Sequence, residues 1–463
     1  MKADEEVDKG FVLLVTTLAS FLMPFMGSSI NVALPSIGKE FGMSAVSLGW
    51  VATAFLLTGA IFQVPFGRMA DIRGRRKVFL LGVLLHAVAS MVAGFSMSAA
   101  MLIATRALQG MASAMAFGTA VAILTSVFPP EERGKVLGIN VTAVYTGLSA
   151  GPFLGGILTQ FLGWRSIFFV TSPLWSLVFV LGLWKLKGEL AEASGERFDF
   201  VGSMIYSVTL VAIIYGLSLL PSLAGAGFLV AGFLGLWALV NYEARATSPV
   251  FDIRLFKDNR AFTFSNLAAL ISYSATFAVS FLVSLYLQYI KGLSPQEAGL
   301  ILLSQPVVQA LFSSFSGRLS DRIDPRILAS MGMGITVAGL FLLVFLGPET
   351  GMGYIVGSLG ILGFGFALFS SPNTNAVMSS VERKSYGVAS GILGTMRQTG
   401  MMFSMALVMI LFSMIIGRVQ IAPENYSSFL KCIRITFVIS AFLCSGGVFA
   451  SLARGKLHPR RRP

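Results

Sequence analysis

Long apolar runs alternate with short polar clusters from one end of the chain to the other. The runs fall near residues 11–34, 45–66, 78–96, 99–127, 136–161, 166–185, 200–220 and 225–242. They continue at 261–289, 297–316, 327–346, 352–379, 386–416 and 430–452. Each is close to the ~20 residues an α-helix needs to cross a bilayer, so the pattern predicts fourteen crossings. The link Phe95-Ser96-Met97-Ser98 is short enough to be only a turn between two spans. Ser294-Pro295-Gln296-Glu297 reads as a capping box with proline at the first helical position, opening the tenth span. Pro129-Pro130-Glu131-Glu132 places carboxylates in a first helical turn, where the helix dipole favours them.

Composition fits that pattern. Of the 463 residues 55% are hydrophobic and only 12% are charged, and the mean hydropathy is +0.80. A soluble chain carries roughly a quarter charged residues. The net charge of +13 could point to nucleic acid, but its placement excludes that partner. Of 34 Lys and Arg, 26 fall in the tails and in alternate loops, 6 lie on the other side, and Arg106 and Arg397 lie within spans. That is the positive-inside distribution. It predicts a multi-pass protein of the cell membrane with both termini cytoplasmic. The acidic Met1–Lys9 segment has no basic signal-peptide n-region, so the first span is expected to be retained. Cys432 and Cys444, twelve helical residues or about 18 Å apart, are too distant to bridge. No HExxH, phosphate-cradling GxxxxGK[ST] or Cys/His cluster is present. An enzyme, a metal and a cofactor are therefore not expected.

The charged stretch Gly67-Arg68-Met69-Ala70-Asp71-Ile72-Arg73-Gly74-Arg75-Arg76-Lys77 reads as a turn joining the second and third spans. It has a weaker copy at Gly317-Arg318-Leu319-Ser320-Asp321-Arg322-Ile323-Asp324-Pro325-Arg326, and both share the frame Gly-Arg-x-x-Asp-x-x-x-x-Arg. Two copies in two hydrophobic halves are the mark of a duplicated transporter. Taken literally, the offset matches spans 1–6 to spans 9–14 and leaves spans 7 and 8 as an inserted hairpin. The organisation expected is a six-helix bundle over 1–186, an inserted transmembrane hairpin with flanking loops over 187–260, and a second six-helix bundle over 261–463. A cytoplasmic gate is expected at Gly67, Arg68, Asp71, Arg75 and Arg76, with Gly317, Asp321 and Arg322 from the second copy.

Two further patterns carry chemistry. In the fifth span Gly138, Gly147, Gly151, Pro152, Gly155 and Gly156 recur so that three glycines spaced by four form one bare stripe for a neighbouring helix. Pro152 removes a helix donor beside it. Arg106 and Arg397 place guanidinium groups at membrane depth, where even the lenient insertion scale charges about 2.5–3.5 kcal/mol. Each must face a water-filled cavity or tie helices together through backbone carbonyls.

These motifs resemble the major facilitator superfamily, and specifically its fourteen-helix drug–proton antiporters. The first charged stretch resembles that superfamily's motif between helices 2 and 3. Leu102-x3-Arg106-x2-Gln109-Gly110 resembles its helix-4 motif, and the glycine–proline series its helix-5 exporter motif. Further matches are Asn31-Val32-Ala33-Leu34-Pro35, Gly163-Trp164-Arg165, Asp252-Ile253-Arg254-Leu255-Phe256, Tyr286-Leu287-Gln288, Gly292-Leu293-Ser294-Pro295, Ser371-Pro372-Asn373 and Arg397-Gln398-Thr399-Gly400. The resemblance implies an all-helical integral membrane protein with the major facilitator fold, two six-helix halves plus a hairpin. It further implies alternating-access export of an amphiphilic small molecule coupled to protons, by a functional monomer in the bilayer. A cavity between the halves is expected to be lined by Ser28, Asn31, Arg106, Gln109, Tyr145, Tyr273, Gln305, Gln309, Asn373, Asn375, Arg397 and Gln398.

The chain departs from the family at Met26-Gly27-Ser28-Ser29-Ile30, where relatives often carry an aspartate. All 21 carboxylates fall in tails, loops or span ends. Proton exchange would then use an edge group such as Asp71 or Glu40, or His86. The alternative is a facilitator or importer of an anionic or neutral solute.

Overall fold

Every apolar run is a helix. The computed structural model describes residues 8–186, 198–245, 256, 259–320, 322–381 and 386–455. Among them fourteen helical stretches are long and apolar enough to cross a membrane. They are α1 Lys9–Phe41, α2 Ala45–Arg73, α3 Arg75–Gly94, α4 Ala99–Val127, α5 Val136–Leu162, α6 Arg165–Lys185, α7 Phe200–Leu219 and α8 Leu223–Glu243. After these come α9 Arg260–Ile290, α10 Pro295–Leu319, α11 Pro325–Val344, α12 Met352–Ser379, α13 Val388–Ile416 and α14 Pro423–Ala453. The described residues contain no strand.

Local chemistry sets the ends. Gly42 closes α1 in a left-handed conformation (φ 61°), and two residues on Ser44 accepts a hydrogen bond from Ser47 N to start α2. Ser98 caps α4 in the same way, through Met101 N. The capping box at Ser294 is present, with Glu297 bonded back to Ser294 N at 2.8 Å. The charged stretch differs from the turn expected of it. Gly67–Arg73 completes α2, and the chain reverses at Gly74 alone, with φ 113°, before α3 starts at Arg75. A conformation that a Cβ disfavours compresses the turn to one residue.

The pairing of helices repeats. In the first half α1 packs on α5, α2 on α4, α3 on α4 and on α6; in the second, α9 packs on α13, α10 on α12, α11 on α12 and on α14. An offset of eight helices maps one set onto the other, as the duplicated charged frame required. Helices α7 and α8 pack on each other, and α7 lies against α2 and α13, one helix from each half. Its Tyr206 hydroxyl donates to Ala60 O of α2 at 3.0 Å, and Tyr215 stands against Trp50. Outer positions of α8 such as Leu223, Phe233 and Trp237 are exposed, as expected of a lipid-facing helix.

Candidate functional site between the two bundles

Fourteen crossings put Lys9 and Arg454 on one face, here the terminal face. The seam between the bundles is stitched on the opposite, far side. Ser284 Oγ of α9 donates to Asn31 O of α1 at 2.7 Å, and Gln288 Nε2 donates to Val32 O at 2.9 Å. Asn31 Nδ2 reaches Ser280 Oγ at 3.5 Å. Ala45 N donates to Val419 O at 2.9 Å, and Gln296 N to Gln160 Oε1 at 3.2 Å.

The fifth helix packs closely on both bundles. A Cβ at Gly147 would strike Phe21 O of α1, one at Gly151 would overlap Ser28 Oγ, and one at Gly155 would lie 2.6 Å from Ser29 Cβ. Ser29 Oγ donates to Gly151 O at 2.9 Å across the same contact. On the other side of α5, Gly156 abuts Pro295 O of α10, and Gly299 of α10 abuts Pro152 O. The stripe thus lets α5 approach α1 of its own bundle, while Gly156 and Pro152 let it approach α10 of the opposite one. Gly138 has open space around its Cβ position and takes no part in either contact.

The residues expected to line a common cavity divide into three groups. Arg106 and Gln109 are buried within the first bundle. Arg106 Nε donates to Val51 O of α2 at 3.1 Å, its Nη1 donates to Gln109 Oε1 at 2.8 Å, and its guanidinium lies 4.4 Å from the Phe55 ring centre. Gln109 Nε2 passes the chain on to Ser90 Oγ of α3 at 2.9 Å. His86 sits in the same interior, beside Ser113 Oγ (3.3 Å) and Met26 Sδ (3.4 Å), its ring 4.4 Å from that of Trp175.

A second group bonds within its own helix or ties helices of the second bundle. Ser28 donates to Pro24 O at 2.8 Å within α1. Asn373 Nδ2 donates to Ser265 O of α9 at 3.1 Å, and Asn375 Nδ2 to Ser320 Oγ at 3.1 Å. Gln305 contributes the backbone carbonyl that Gly363 of α12 packs against, and Gln309 is buried.

The third group surrounds Arg397, at the level where α13 meets α2. Arg397 Nη2 donates to Thr374 Oγ1 of α12 at 2.5 Å, and its guanidinium stands 5.8 Å from the Tyr273 ring centre. Tyr273 is edge-on to Phe366 and lies near Ser370 and near Tyr145 of α5. At the residue after Arg397 and three residues before it the bundles touch: Gly59 of α2 faces Gln398, and Gly394 of α13 faces Gln63. Gln63 and Thr374 were not among the expected residues. An amide isolated in an apolar span was the signal that could have found Gln63.

On the terminal face Asp71, Arg75 and Arg76 of the first charged frame bond within their own bundle. Asp71 Oδ1 accepts from Arg75 Nε at 2.9 Å and pairs with Nη2 at 2.7 Å, while Arg75 Nη1 reaches Ser126 Oγ of α4. Arg76 Nη2 donates to Leu183 O at the end of α6, at 3.2 Å. In the second copy Gly317 faces Ser371 Oγ at 3.0 Å and Arg322 is exposed. Asp321 lies outside the described residues. On the far face Glu40 is held by Arg165 at 2.6 Å and by Trp164 Nε1 at 2.7 Å. An apolar crevice of about 270 Å³, lined by Leu270, Ile271, Ser274, Phe403, Leu407, Ile439 and Leu443, lies between α9, α13 and α14. Its one polar side chain, Ser274, bonds Leu270 O, so it offers no charged recognition.

Comparison with known proteins agrees with this geometry. The family profile described as Major Facilitator Superfamily matches residues 16–405, with a second match over 265–463. The riboflavin transporter RibZ of Clostridioides difficile is 26% identical over 450 residues, 96% of this chain and 97% of its own. The cephamycin export protein CmcT of Amycolatopsis lactamdurans is 32% identical over 407 residues, 86% of this chain and 84% of its own. Among solved structures, an inward-facing, unoccupied bacterial homologue of the human lysosomal transporter Spinster superposes with a TM-score of 0.68. It is 18% identical and matched over 98% of both chains.

Proposed function

The chain belongs to the major facilitator superfamily, and from that premise we propose that it is a secondary exporter of amphiphilic small molecules. The observation that carries this reading is the double packing of α5. Its stripe seats α1 at Gly151 and Gly155, while Gly156 and Pro152 seat α10 of the opposite bundle. A helix bare on two sides can roll against either neighbour without side chains interlocking, which suits a rocking seam. The similarity to the cephamycin export protein CmcT supports the same direction.

In this proposal residues 1–186 and 261–463 are the two rocking halves, and 187–260 carries the hairpin that spans their seam. The terminal face is cytoplasmic, as the 26 basic residues on that side argue. The far-side hydrogen bonds then hold the outer gate shut, and Asp71 with Arg75 stiffens the inner end of α2. The protein acts in the cell membrane as a monomer, with protons as the counter-ion.

One observation favours a second reading, facilitated movement without proton exchange. The described carboxylates stand at helix caps, first or last turns, or loops, and Glu40 and Asp71 are already paired. The test is efflux of a fluorescent amphiphile from proteoliposomes, with and without an imposed pH gradient. Gradient-accelerated efflux is expected. Equal rates in both conditions would establish the facilitator, and uptake only toward the terminal face would overturn export.

A further inference from the structure

Arg397 is a cation at membrane depth whose partners among the described residues are a hydroxyl and a ring. Its Nη2 has Thr374 and its face has Tyr273, while its Nε is buried with no hydrogen-bond partner. No carboxylate pairs with it among the described residues. Arg106, by contrast, has Val51 O on Nε and Gln109 on Nη1. Arg106 has its donors engaged within its bundle, whereas Arg397 keeps a buried Nε with nothing to bond.

Two more buried atoms beside it are unbonded. Gln398 Oε1, on the next residue of α13, and Gln63 Oε1 of α2 both lack a partner. Each lies against the opposite bundle, at Gly59 and at Gly394. Within two turns of helix the seam therefore offers one unfilled cationic donor and two unfilled acceptors. Buried polar groups are normally satisfied, and a cluster of exceptions calls for a ligand or solvent that satisfies them. A guanidinium edge matches a planar anion best, because two parallel hydrogen bonds form at once. A cationic head group would meet the opposite: repulsion strengthened by low dielectric, with no negative partner nearby.

We propose that Arg397 seats the carboxylate head of an acidic amphiphile, with Thr374 and Tyr273 beside it and Gln63 and Gln398 accepting from donors next to that head. This deepens the export reading in one respect, since it takes the seam as the cargo's path.

Equilibrium binding to the purified protein in detergent tests it with three matched probes: dansyl-undecanoate, its primary amide, and the corresponding amine. The carboxylate is expected to bind roughly tenfold or more tightly than either of the others, the size of a charge-assisted hydrogen bond. Arg397→Gln should remove that advantage, bringing the carboxylate to the level of the amide, while Arg397→Lys should keep part of it. Tightest binding by the amine, equal binding by all three, no carboxylate binding, or an advantage that survives Arg397→Gln would each overturn the proposal. The wild-type ranking alone decides the matter if a variant fails to fold. Because binding is read without a gradient or a direction, a failed efflux assay with this ranking intact would remove the export reading and leave the site standing.

Discussion

At Gln109 one amide stands between a buried guanidinium and a serine hydroxyl, linking α4, α2 and α3. Gln109→Leu would leave the Arg106 cation buried without its side-chain acceptor, a loss of about 1.5–3 kcal/mol. The double change Arg106→Met with Gln109→Leu removes charge and acceptor together and should recover most of that loss, since a buried ionic group can often be replaced by packed apolar ones at little cost. Thermal unfolding in detergent checks both. A Gln109→Leu protein of unchanged stability but altered cargo preference would place the pair in the transport path instead. The sequence made Arg106 and Arg397 visible as anomalies of one kind, each a charge in an apolar run. It could not separate them, because the direction of a side chain depends on the rotation of its helix against neighbours distant in sequence. Arg106 meets Val51 across 55 residues, and Arg397 meets Thr374 across 23.

At the scale of the element, the α5 stripe was legible from spacing because a four-residue period fixes one helix face wherever the helix packs. Its individual members were not equally legible. Gly138 stands in the same series yet faces open space, whereas Gly151 lies against Ser28 and Phe25 O. Gly151→Leu should therefore cost at least the 1–3 kcal/mol typical of overpacking, read as lost folded yield and a lower unfolding temperature. Gly138→Leu should be neutral, and equal damage at both would refute the stripe as a contact surface. The charged stretch shows the reverse case. Its residues are evident in the sequence, but their conformation departs from the expected turn, since Gly67–Arg73 is helical and only Gly74 turns. Within that end, Asp71 neutralises Arg75 where α2 meets α3 and α4. Asp71→Asn should cut transport several-fold while membrane insertion, followed by protease protection of a terminal tag, stays normal. Wild-type turnover would reduce the cluster to a topology signal.

Across the whole molecule, two bundles with the same internal pairings meet along a seam hydrogen-bonded on its far side, and α7 lies over the junction of α2 and α13. The duplication was readable from two short charged frames. The side on which the seam is hydrogen-bonded was not, because it is set by contacts such as Gln296 N to Gln160 Oε1 between residues 136 apart. If the bundles rock, that contact must break in every cycle. Cysteines at Gln160 and Gln296, in a background with Cys432 and Cys444 replaced by serine and alanine, should be joined rapidly by a short bis-methanethiosulfonate linker. Transport should stop once the link forms and return on reduction, while probe binding from the terminal face persists. A protein that is fully linked yet turns over at the unlinked rate would mean the far side need not open, and the seam would then be a fixed joint.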